Sequence, residues 1–223
     1  IIGSDFTRYS FRTNLDHSIQ ERLKVGTSFS LNKTSASTVG SSTQAGFFPG
    51  VVNTSLTFSP ALPVRDSTGQ YTIKDPTADA WLDNPVAVTR EVKALDNSFK
   101  IIGNAYARLH IVKGLDLQVS VGLDQYNNTQ DYYNPSFTYS GSFNSGQARF
   151  AITDFTTFLN ENTLTYNTTF KDRHRLDLLA GFTYQKLDSR TFIEVVTGFP
   201  NDRLSYYGIA GAGNIPNIYT GFG

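Results

Sequence analysis

Apolar and polar residues alternate along stretch after stretch of this chain, and the stretches are joined in turn by short turns and by very long connections. In residues 8–16 and 23–32, one side of each stretch carries Tyr9, Phe11, Thr13, Leu15, Leu23, Val25, Thr27, Phe29 and Leu31. Because successive side chains of a β-strand point to opposite faces, each stretch predicts a strand with one apolar and one hydrophilic face. Short turns that alternate with long loops are typical of an outer-membrane β-barrel.

The clearest pair of strands covers residues 99–111 and 115–124, joined by the tight turn Val112-Lys113-Gly114. The same pattern predicts about six or seven strands in all, with residues 189–196 as the seventh. Hairpins are expected near residues 6–33, 98–126 and 157–190, and long extracellular loops near residues 34–97, 127–157 and 198–223. Inside the first loop, residues 50–58 are predicted as a short helix or strand and residues 85–95 as a short helix.

Composition limits the alternatives. The 223 residues include 19 basic and 19 acidic side chains, which gives no support for nucleic-acid binding, and no run approaches the roughly 18 apolar residues of a spanning helix. Neither cysteine nor methionine occurs, so disulfides, thiolate zinc sites and a cysteine nucleophile are excluded. Without an initiating methionine, the chain is expected to be mature, trimmed or, as we favour, part of a longer protein.

The position of the aromatic residues also favours a membrane. Phe6, Tyr9, Phe29, Phe99 and Tyr126 are among those at the strand ends nearest the long loops, whereas Leu and Ile prevail at the opposite ends. Aromatic rings prefer the boundary between polar and apolar surroundings. The alternative is a soluble β-sandwich whose aromatic residues fill its core, but the loops of sandwiches rarely alternate between short and very long.

Several segments, in order along the chain, resemble the SusC/RagA-like family of TonB-linked outer-membrane proteins, that is, the β-barrel of a TonB-dependent receptor. They are residues 4–16 (SDFTRYSFRTNLD), 23–26 (LKVG), 59–64 (SPALPV), 84–87 (NPVA), 103–107 (GNAYA), 113–115 (KGL), 131–136 (DYYNPS), 159–166 (LNENTLTY) and 174–182 (HRLDLLAGF). The resemblance runs from about residue 3 to about residue 200, and it lies in the ordered set rather than in any one motif.

This resemblance implies an all-β fold, an antiparallel segment of a transmembrane barrel of about 22 strands that encloses a plug domain, with the plug absent from this chain. It also implies outer-membrane import of oligosaccharides or peptides, driven by TonB through the plug. The implied partners are a SusD-like surface lipoprotein, outer-membrane lipid and a glycan or peptide substrate, in a dimer of transporter–lipoprotein pairs. The rival interpretations are a passive porin-type barrel and a soluble adhesin-like β protein.

The sequence offers no catalytic arrangement, and we expect a protein that is not an enzyme and needs no cofactor or metal. His17 and His174 fall in predicted turns and His110 on a polar strand face, none at a metal-binding spacing. The glycine-rich residues 208–213 lack the strand and helix that a phosphate-binding loop needs, and they predict a flexible loop.

Two sets of residues are candidates for function. Aromatic residues of the long loops can stack on flat apolar faces of a substrate while polar neighbours bond it, and they can equally pack the loops. This first set, the substrate or partner contacts, is Phe47, Phe48, Trp81, Tyr132, Tyr133 and Tyr139. The second set, charged residues expected to face the lumen and contact the plug or hydrate the interior, is Arg8, Arg12, Lys24, Arg108 and Asp124.

Overall fold

Seven long strands of this chain form one antiparallel sheet. The computed structural model describes residues 3–20, 22–38, 50–75, 80–171 and 173–222. In chain order the strands are β1 (Asp5–Ile19), β2 (Leu23–Ser37), β3 (Lys74–Asp75), β4 (Ala80–Trp81), β5 (Lys93–Val112), β6 (Leu115–Asn134), β7 (Gln147–Phe170), β8 (His174–Thr197) and β9 (Asn214–Phe222).

The main sheet has the order β1-β2-β5-β6-β7-β8-β9, so each of its strands pairs with the next one along the chain, while β3 and β4 pair with each other. Within the described residues, β1 and β9 each have a single neighbour, and the sheet is open at both edges. The longest strands, β7 and β8, have 24 residues each. The fold is therefore a meander that could continue into a larger barrel from either edge.

Short turns close one end of the sheet. Gly114, with φ of +82°, makes the turn between β5 and β6, and Gln20 and Lys171 also adopt positive φ in the turns after β1 and β7. The Gly114 carbonyl accepts a hydrogen bond from the Asn167 amide at 2.7 Å, which ties this turn to β7. All three short turns lie at the same end of the meander, and the long loops lie at the other.

Continuous register gives the main sheet two faces of different character. The face that we call the apolar face carries Tyr9, Phe11, Leu15, Val25, Phe29, Leu31, Phe99, Ile101, Leu117, Val119, Val121, Leu123, Phe158, Leu164, Leu178, Phe182 and Tyr184. The opposite face, the polar face, carries Arg8, Arg12, Lys24, Ser28, Lys100, Asn104, Arg108, Gln118, Asp124, Glu161 and Gln185. Many of the apolar side chains are exposed, among them Phe11 and Phe182.

Short helices occur in the long loops, at α1 (Val51–Thr57), α2 (Pro85–Glu91) and α3 (Tyr139–Ser142), and a 3-10 helix covers Ser205–Gly211. Residues 50–58, predicted as a short helix or strand, contain helix α1, and the helix predicted over residues 85–95 is present as α2 but ends at Glu91, because β5 begins at Lys93. Helix α2 begins where Asn84 caps the Val86 and Ala87 amides and Pro85 presets the first turn. Within the described residues, no helix is long and apolar enough to cross a membrane.

The predicted fold class is confirmed, and the strands run further than expected. Strand β6 continues to Asn134 and β7 begins at Gln147, so the loop expected near residues 127–157 shortens to residues 135–146. Residues 189–196, expected as a separate strand, continue β8, and the seventh strand of the main sheet is β9, inside the predicted loop 198–223. Backbone pairing extends these strands past the point where side chains stop alternating.

Two buried clusters lie at the long-loop end, one on each face of the sheet. Because Tyr132 and Tyr133 are consecutive in β6, they point to opposite faces. On the polar side, Tyr132 packs with Val88 and Val92 of the β2–β5 connection. On the apolar side, Tyr133 packs with Ala148, Val196 and Phe199, against which the partly buried Phe150, Tyr206, Ile209 and Ala212 lie. The loops therefore fold onto the sheet and supply the core of this end.

Candidate functional site

Three connections meet at the long-loop end: residues 38–92 between β2 and β5, residues 135–146 between β6 and β7, and residues 198–213 between β8 and β9. We call them loop A, loop B and loop C. Loop B lies between the other two along the sheet and is fastened to each by a carboxylate. The described parts of the three loops form the surface of this end of the sheet.

Loop C is attached to loop B through Asp202. Its carboxylate accepts hydrogen bonds from the Tyr133 hydroxyl at 2.7 Å, the Ser136 amide at 2.8 Å and the Ser136 hydroxyl at 2.6 Å. Backbone bonds add to this attachment, from the Gly198 amide to the Asn144 carbonyl and from the Phe199 amide to the Ser145 carbonyl. Charge-assisted bonds of this kind are stronger than neutral ones, so loop C is held firmly.

Loop A is attached to loop B through Asp83. Oδ1 of Asp83 accepts hydrogen bonds from both the amide and the hydroxyl of Ser140, each at 3.1 Å. Burial raises the pKa of the Asp83 carboxyl, and the bonds from Ser140 oppose that rise without cancelling it. The next residue, Asn84, is buried and donates from Nδ2 to the carbonyls of Val64 and Thr72 at 2.9 and 3.1 Å. These contacts fix the segment that carries Trp81.

Aromatic rings continue across the join between loops A and B. Trp81 stacks with Tyr139, with ring centroids 6.1 Å apart and planes inclined by 16°, and Tyr139 meets Phe143 edge to face at 4.9 Å. The Lys74 ammonium lies 5.1 Å from the Trp81 ring centroid. Trp81 is 49% exposed and Phe143 69% exposed. We call Trp81, Tyr139 and Phe143 the aromatic row.

The structure separates the predicted aromatic contacts. Trp81 and Tyr139 come together in the aromatic row, and Phe47 and Phe48 lie outside the described residues. Tyr132 and Tyr133 are 8% and 1% exposed, so the expectation that they are exposed loop residues is wrong. They belong to β6, and the two loops that pack against that strand cover them. A substrate contact through Trp81 or Tyr139 stays a prediction.

Sequence reasoning missed Phe143, Asp83 and Asp202. Phe143 stands in a Gly-, Ser- and Asn-rich segment with no periodicity to mark it. The two aspartates act through partners 57 and 66 or more residues away in the chain, a relationship that no local pattern reports. The signal that could have found Asp83 is its place beside the Asn84 cap of α2.

All five residues predicted to face the lumen lie on the polar face. Arg8 donates to Asn32 and Ser10 of the same face, and Asp124 pairs with Lys100 at 3.2 Å. Arg108 donates twice to Oε1 of Gln118 and stands directly opposite Lys24, while Arg12 stands opposite Ser30. That this face lines a lumen stays a prediction. Within the described residues, no group of three or more His, Asp or Glu side chains could hold a metal ion.

A long antiparallel meander with one continuous apolar face, one polar face, short turns at one end and folded loops at the other is a segment of a transmembrane β-barrel. No protein-family model matches the chain. Among curated proteins it is similar to TonB-dependent receptor P3 of Formosa agariphila, with 29% identity over 213 residues, covering 95% of this chain and 21% of the relative. TonB-dependent receptor P26 of the same organism is 24% identical over 223 residues, covering 97% and 21%.

Solved structures give the same fold. The structure of the RagAB peptide transporter matches with a TM-score of 0.76 and 20% identity, over 99% of this chain and 25% of that chain. The RagAB peptide importer in its open-open state matches with a TM-score of 0.74 and 21% identity, over 99% of this chain and 24% of that chain. The chain is a homologue of TonB-dependent receptors, which are not enzymes, and it has the fold of part of their β-barrel. It spans about a fifth of the length of the curated relatives.

Proposed function

We propose that this chain forms part of the barrel wall and of the external surface of an outer-membrane receptor that imports peptides or oligosaccharides. The observation that carries the proposal is the alignment of 95% of the chain with a TonB-dependent receptor, on a sheet with one apolar and one polar face. In this proposal the apolar face contacts lipid, the polar face lines the interior, and loops A, B and C face outward. Import is driven by TonB acting on a part of the receptor outside this chain.

The aromatic row is the substrate contact in this proposal. Its two exposed rings, Trp81 and Phe143, offer flat apolar surface at the outer end of the sheet, beside the Lys74 ammonium. Sugar rings and apolar peptide side chains both stack on such surfaces, and the neighbouring polar groups bond their hydroxyl or amide groups. Attachment of loops A and B through Asp83 and Ser140 keeps the row assembled before a ligand arrives, which reduces the entropy cost of binding.

We propose that the partner of the receptor is a surface lipoprotein of the SusD type. Two transporter–lipoprotein pairs form a dimer in this proposal. The fold shared with the RagAB peptide transporter supports a comparable assembly here. Helix α1 packs through Val51 against the cluster around Val88, and its apolar residues Val52 and Leu56 stay exposed, where a lid over the outer end could make contact. Co-purification of a lipoprotein with the tagged full-length receptor tests this partner.

Uptake by cells that express the full-length receptor tests the function. Labelled oligopeptide and oligosaccharide pools are offered to cells with and without TonB, and we expect uptake of one pool that stops when TonB is removed. Uptake that continues without TonB would support a passive porin instead, and extraction of the receptor into buffer without detergent would support a soluble adhesin.

A variant pair tests the aromatic row within the same assay. Trp81→Ala is expected to reduce TonB-dependent uptake several-fold at limiting substrate, because a stacking surface is lost. Tyr207→Ala is the control, since Tyr207 is also an exposed loop aromatic, at 76%, but lies in loop C outside the row. Equal effects of the two variants would show that the row has no special part in uptake.

A further inference from the structure

A half-buried arginine stands at the long-loop end of the sheet without an ion-pair partner among the described residues. Arg149 lies near the start of β7, just after loop B, and is the direct register partner of Tyr132 in β6 and of Val195 in β8. Both partners are buried, so the guanidinium has buried side chains on either side. Burial lowers the pKa of the Arg149 guanidinium, and no neighbouring charge opposes that shift. A charge that is partly removed from water and left unpaired is costly, which favours a function over a structural role.

Gln130 holds this guanidinium in place without neutralising it. Its Oε1 accepts a hydrogen bond from Nη1 of Arg149 at 3.4 Å, while its Nε2 donates to Oδ2 of Asp96 at 2.9 Å. Asp96 keeps its negative charge, but it lies on β5, with β6 between it and β7, and Nδ2 of Asn128 donates to its other oxygen at 2.7 Å. Asp96 therefore orients Gln130, and Gln130 orients Arg149, without a direct ion pair.

Asp83 is a second acid near this place, and it also bonds elsewhere. Both of its hydrogen bonds come from Ser140. Its charge reaches Tyr132, where burial and then the Asp83 carboxylate raise the pKa of the hydroxyl. Tyr132 is thus near both Asp83 and Arg149, which form no ion pair with each other. Since Asp83 also fastens the segment that carries Trp81, the arginine and the aromatic row belong to the same end of the sheet.

One edge of the guanidinium stays free for a ligand. Among the described residues, the bond from Nη1 to Gln130 is the only hydrogen bond of the Arg149 side chain. The opposite edge carries the N–H groups of Nε and Nη2, which point in the same direction and match the two oxygens of a carboxylate. Buried neighbours lower the local dielectric constant, which strengthens an ion pair formed there.

We propose that Arg149 binds a carboxylate of the imported substrate, either the C-terminal carboxylate of a peptide or the acid group of a uronic-acid sugar. This inference rests on the proposed function and narrows its substrate to an acidic one. The ligand's two oxygens accept from Nε and Nη2 and supply the counter-ion that the half-buried cation lacks. A neutral analogue leaves the guanidinium unpaired, and a site of this kind discriminates strongly against such an analogue.

Binding of matched probes to the purified full-length receptor tests the site. The first pair is a pool of N-acetylated peptides without charged side chains, prepared as C-terminal acids and as C-terminal amides. The second pair is oligogalacturonide and its neutral methyl ester. In one of these pairs we expect the acid form to bind about tenfold to a hundredfold more tightly than the neutral form. The pair that shows the preference identifies the source of the carboxylate.

Arg149→Gln is expected to abolish this preference and to leave binding of the neutral form unchanged. Arg149→Lys keeps the charge but loses the planar edge, so it should retain only part of the preference. Arg203→Gln is the matched control, because Arg203 is an exposed cation of loop C and its loss changes the net charge equally. The inference is wrong if the wild type shows no preference in either pair, or if Arg149→Gln weakens acid and neutral forms alike. TonB-dependent uptake of neutral ligands would then leave the proposed function standing, whereas loss of all TonB-dependent uptake would remove both.

The sign of a stability change separates a ligand from an acid elsewhere in the receptor. If such an acid pairs with Arg149 permanently, Arg149→Gln lowers the Tm of the ligand-free receptor, because the acid is left unpaired. If the guanidinium is unpaired until a substrate arrives, the same change leaves the Tm unchanged or raises it, and the acid probe raises the Tm of the wild type alone. A lower Tm for ligand-free Arg149→Gln would overturn the proposal.

Discussion

The carboxylate of Asp202 accepts a hydrogen bond from the hydroxyl of Tyr133 at 2.7 Å, although the two residues are 69 positions apart. Tyr133 is buried on the apolar side of β6, so this bond fastens loop C to the end of the strand rather than to another loop. Gly146 passes close to the same bond: a Cβ there would lie 3.1 Å from the Tyr133 hydroxyl oxygen and 3.5 Å from Oδ1 of Asp202. The join between loops B and C leaves little room for a side chain.

Asp202→Asn is expected to loosen loop C. An amide keeps one acceptor oxygen but presents Nδ2 where the carboxylate had its second acceptor, and it loses the charge that strengthens all three bonds. A cost of about 1–3 kcal/mol is expected for docking of the loop. Hydrogen exchange of residues 198–213 in the full-length receptor should then speed up by about tenfold or more. Asp188→Asn, at an exposed pair with Lys186, is the control and should leave this exchange unchanged.

Replacement of Asp83 by asparagine should not loosen its loop, in contrast to Asp202→Asn, because burial raises the pKa of the Asp83 carboxyl. A raised pKa in the folded state means that the group stabilises docking below its unfolded pKa of 3.8, and that this contribution is lost as the pH rises through the raised value. Asp83→Asn removes the buried charge and keeps Oδ1 for both Ser140 bonds. We therefore expect loop B to be at least as well protected as in the wild type at pH 7.

The measurement is exchange protection of α3, compared between wild type and variant at a pH below 3.8 and at pH 7, so that intrinsic exchange cancels at each pH. The advantage of Asp83→Asn should be larger at pH 7. Asp83→Ala is the matched control, because it removes the acceptor and leaves the Ser140 amide without a partner, so it should reduce protection at both values. Similar behaviour of the Asn and Ala variants would contradict this account of Asp83.

The sequence predicted what depends on periodicity and missed what depends on distant contacts. Alternation over residues 99–124 was sufficient to place most of β5, the turn at Gly114 and the first half of β6, because a strand repeats every second residue. Residues 127–131 are polar on both faces, so nothing in them indicates that β6 continues. For the same reason Tyr132 and Tyr133 were assigned to a loop, although β7 pairs with both.

The glycine-rich residues 208–213 show the same limit. Their composition predicted a flexible loop, yet Ser205–Gly211 is a 3-10 helix and Ile209 packs against the buried cluster around Tyr133. Packing against a strand that lies 70 or so residues earlier in the chain orders the segment, and composition does not report such a contact. The aromatic row was half predicted, since Trp81 and Tyr139 were named but their contact depends on how loops A and B fold together.

Gly114, in the turn between β5 and β6, is expected to tolerate no larger residue without a loss of stability. Its φ is +82°, and a Cβ would lie 2.1 Å from the Asn167 carbonyl oxygen, a backbone atom that cannot rotate away. Gly69 has a φ of +84° with nothing within 4 Å, so it is the matched control. Gly69→Ala should cost about 1 kcal/mol from φ alone, while Gly114→Ala should cost roughly 2–4 kcal/mol because β7 must also shift. Thermal unfolding of the full-length receptor in detergent measures both; equal losses would contradict the close approach.

Phe182 and Thr183 provide a direct test of which face of the sheet contacts lipid. They are consecutive in β8 and both exposed, with Phe182 on the apolar face and Thr183 opposite Glu161 on the polar face. An arginine that faces the bilayer near its midplane costs about 2–4 kcal/mol, whereas one that faces a wet interior costs far less. Phe182→Arg should therefore lower the stability of the full-length receptor in lipid vesicles much more than Thr183→Arg does, as measured by urea titration. The Thr183 variant also controls for strand propensity, since both changes introduce the same residue into the same strand. A soluble protein that buries the apolar face in its core would also be destabilised by Phe182→Arg, but it would stay in solution without detergent. The apolar face therefore contacts lipid if the receptor is soluble only in detergent and Phe182→Arg destabilises it much more than Thr183→Arg does.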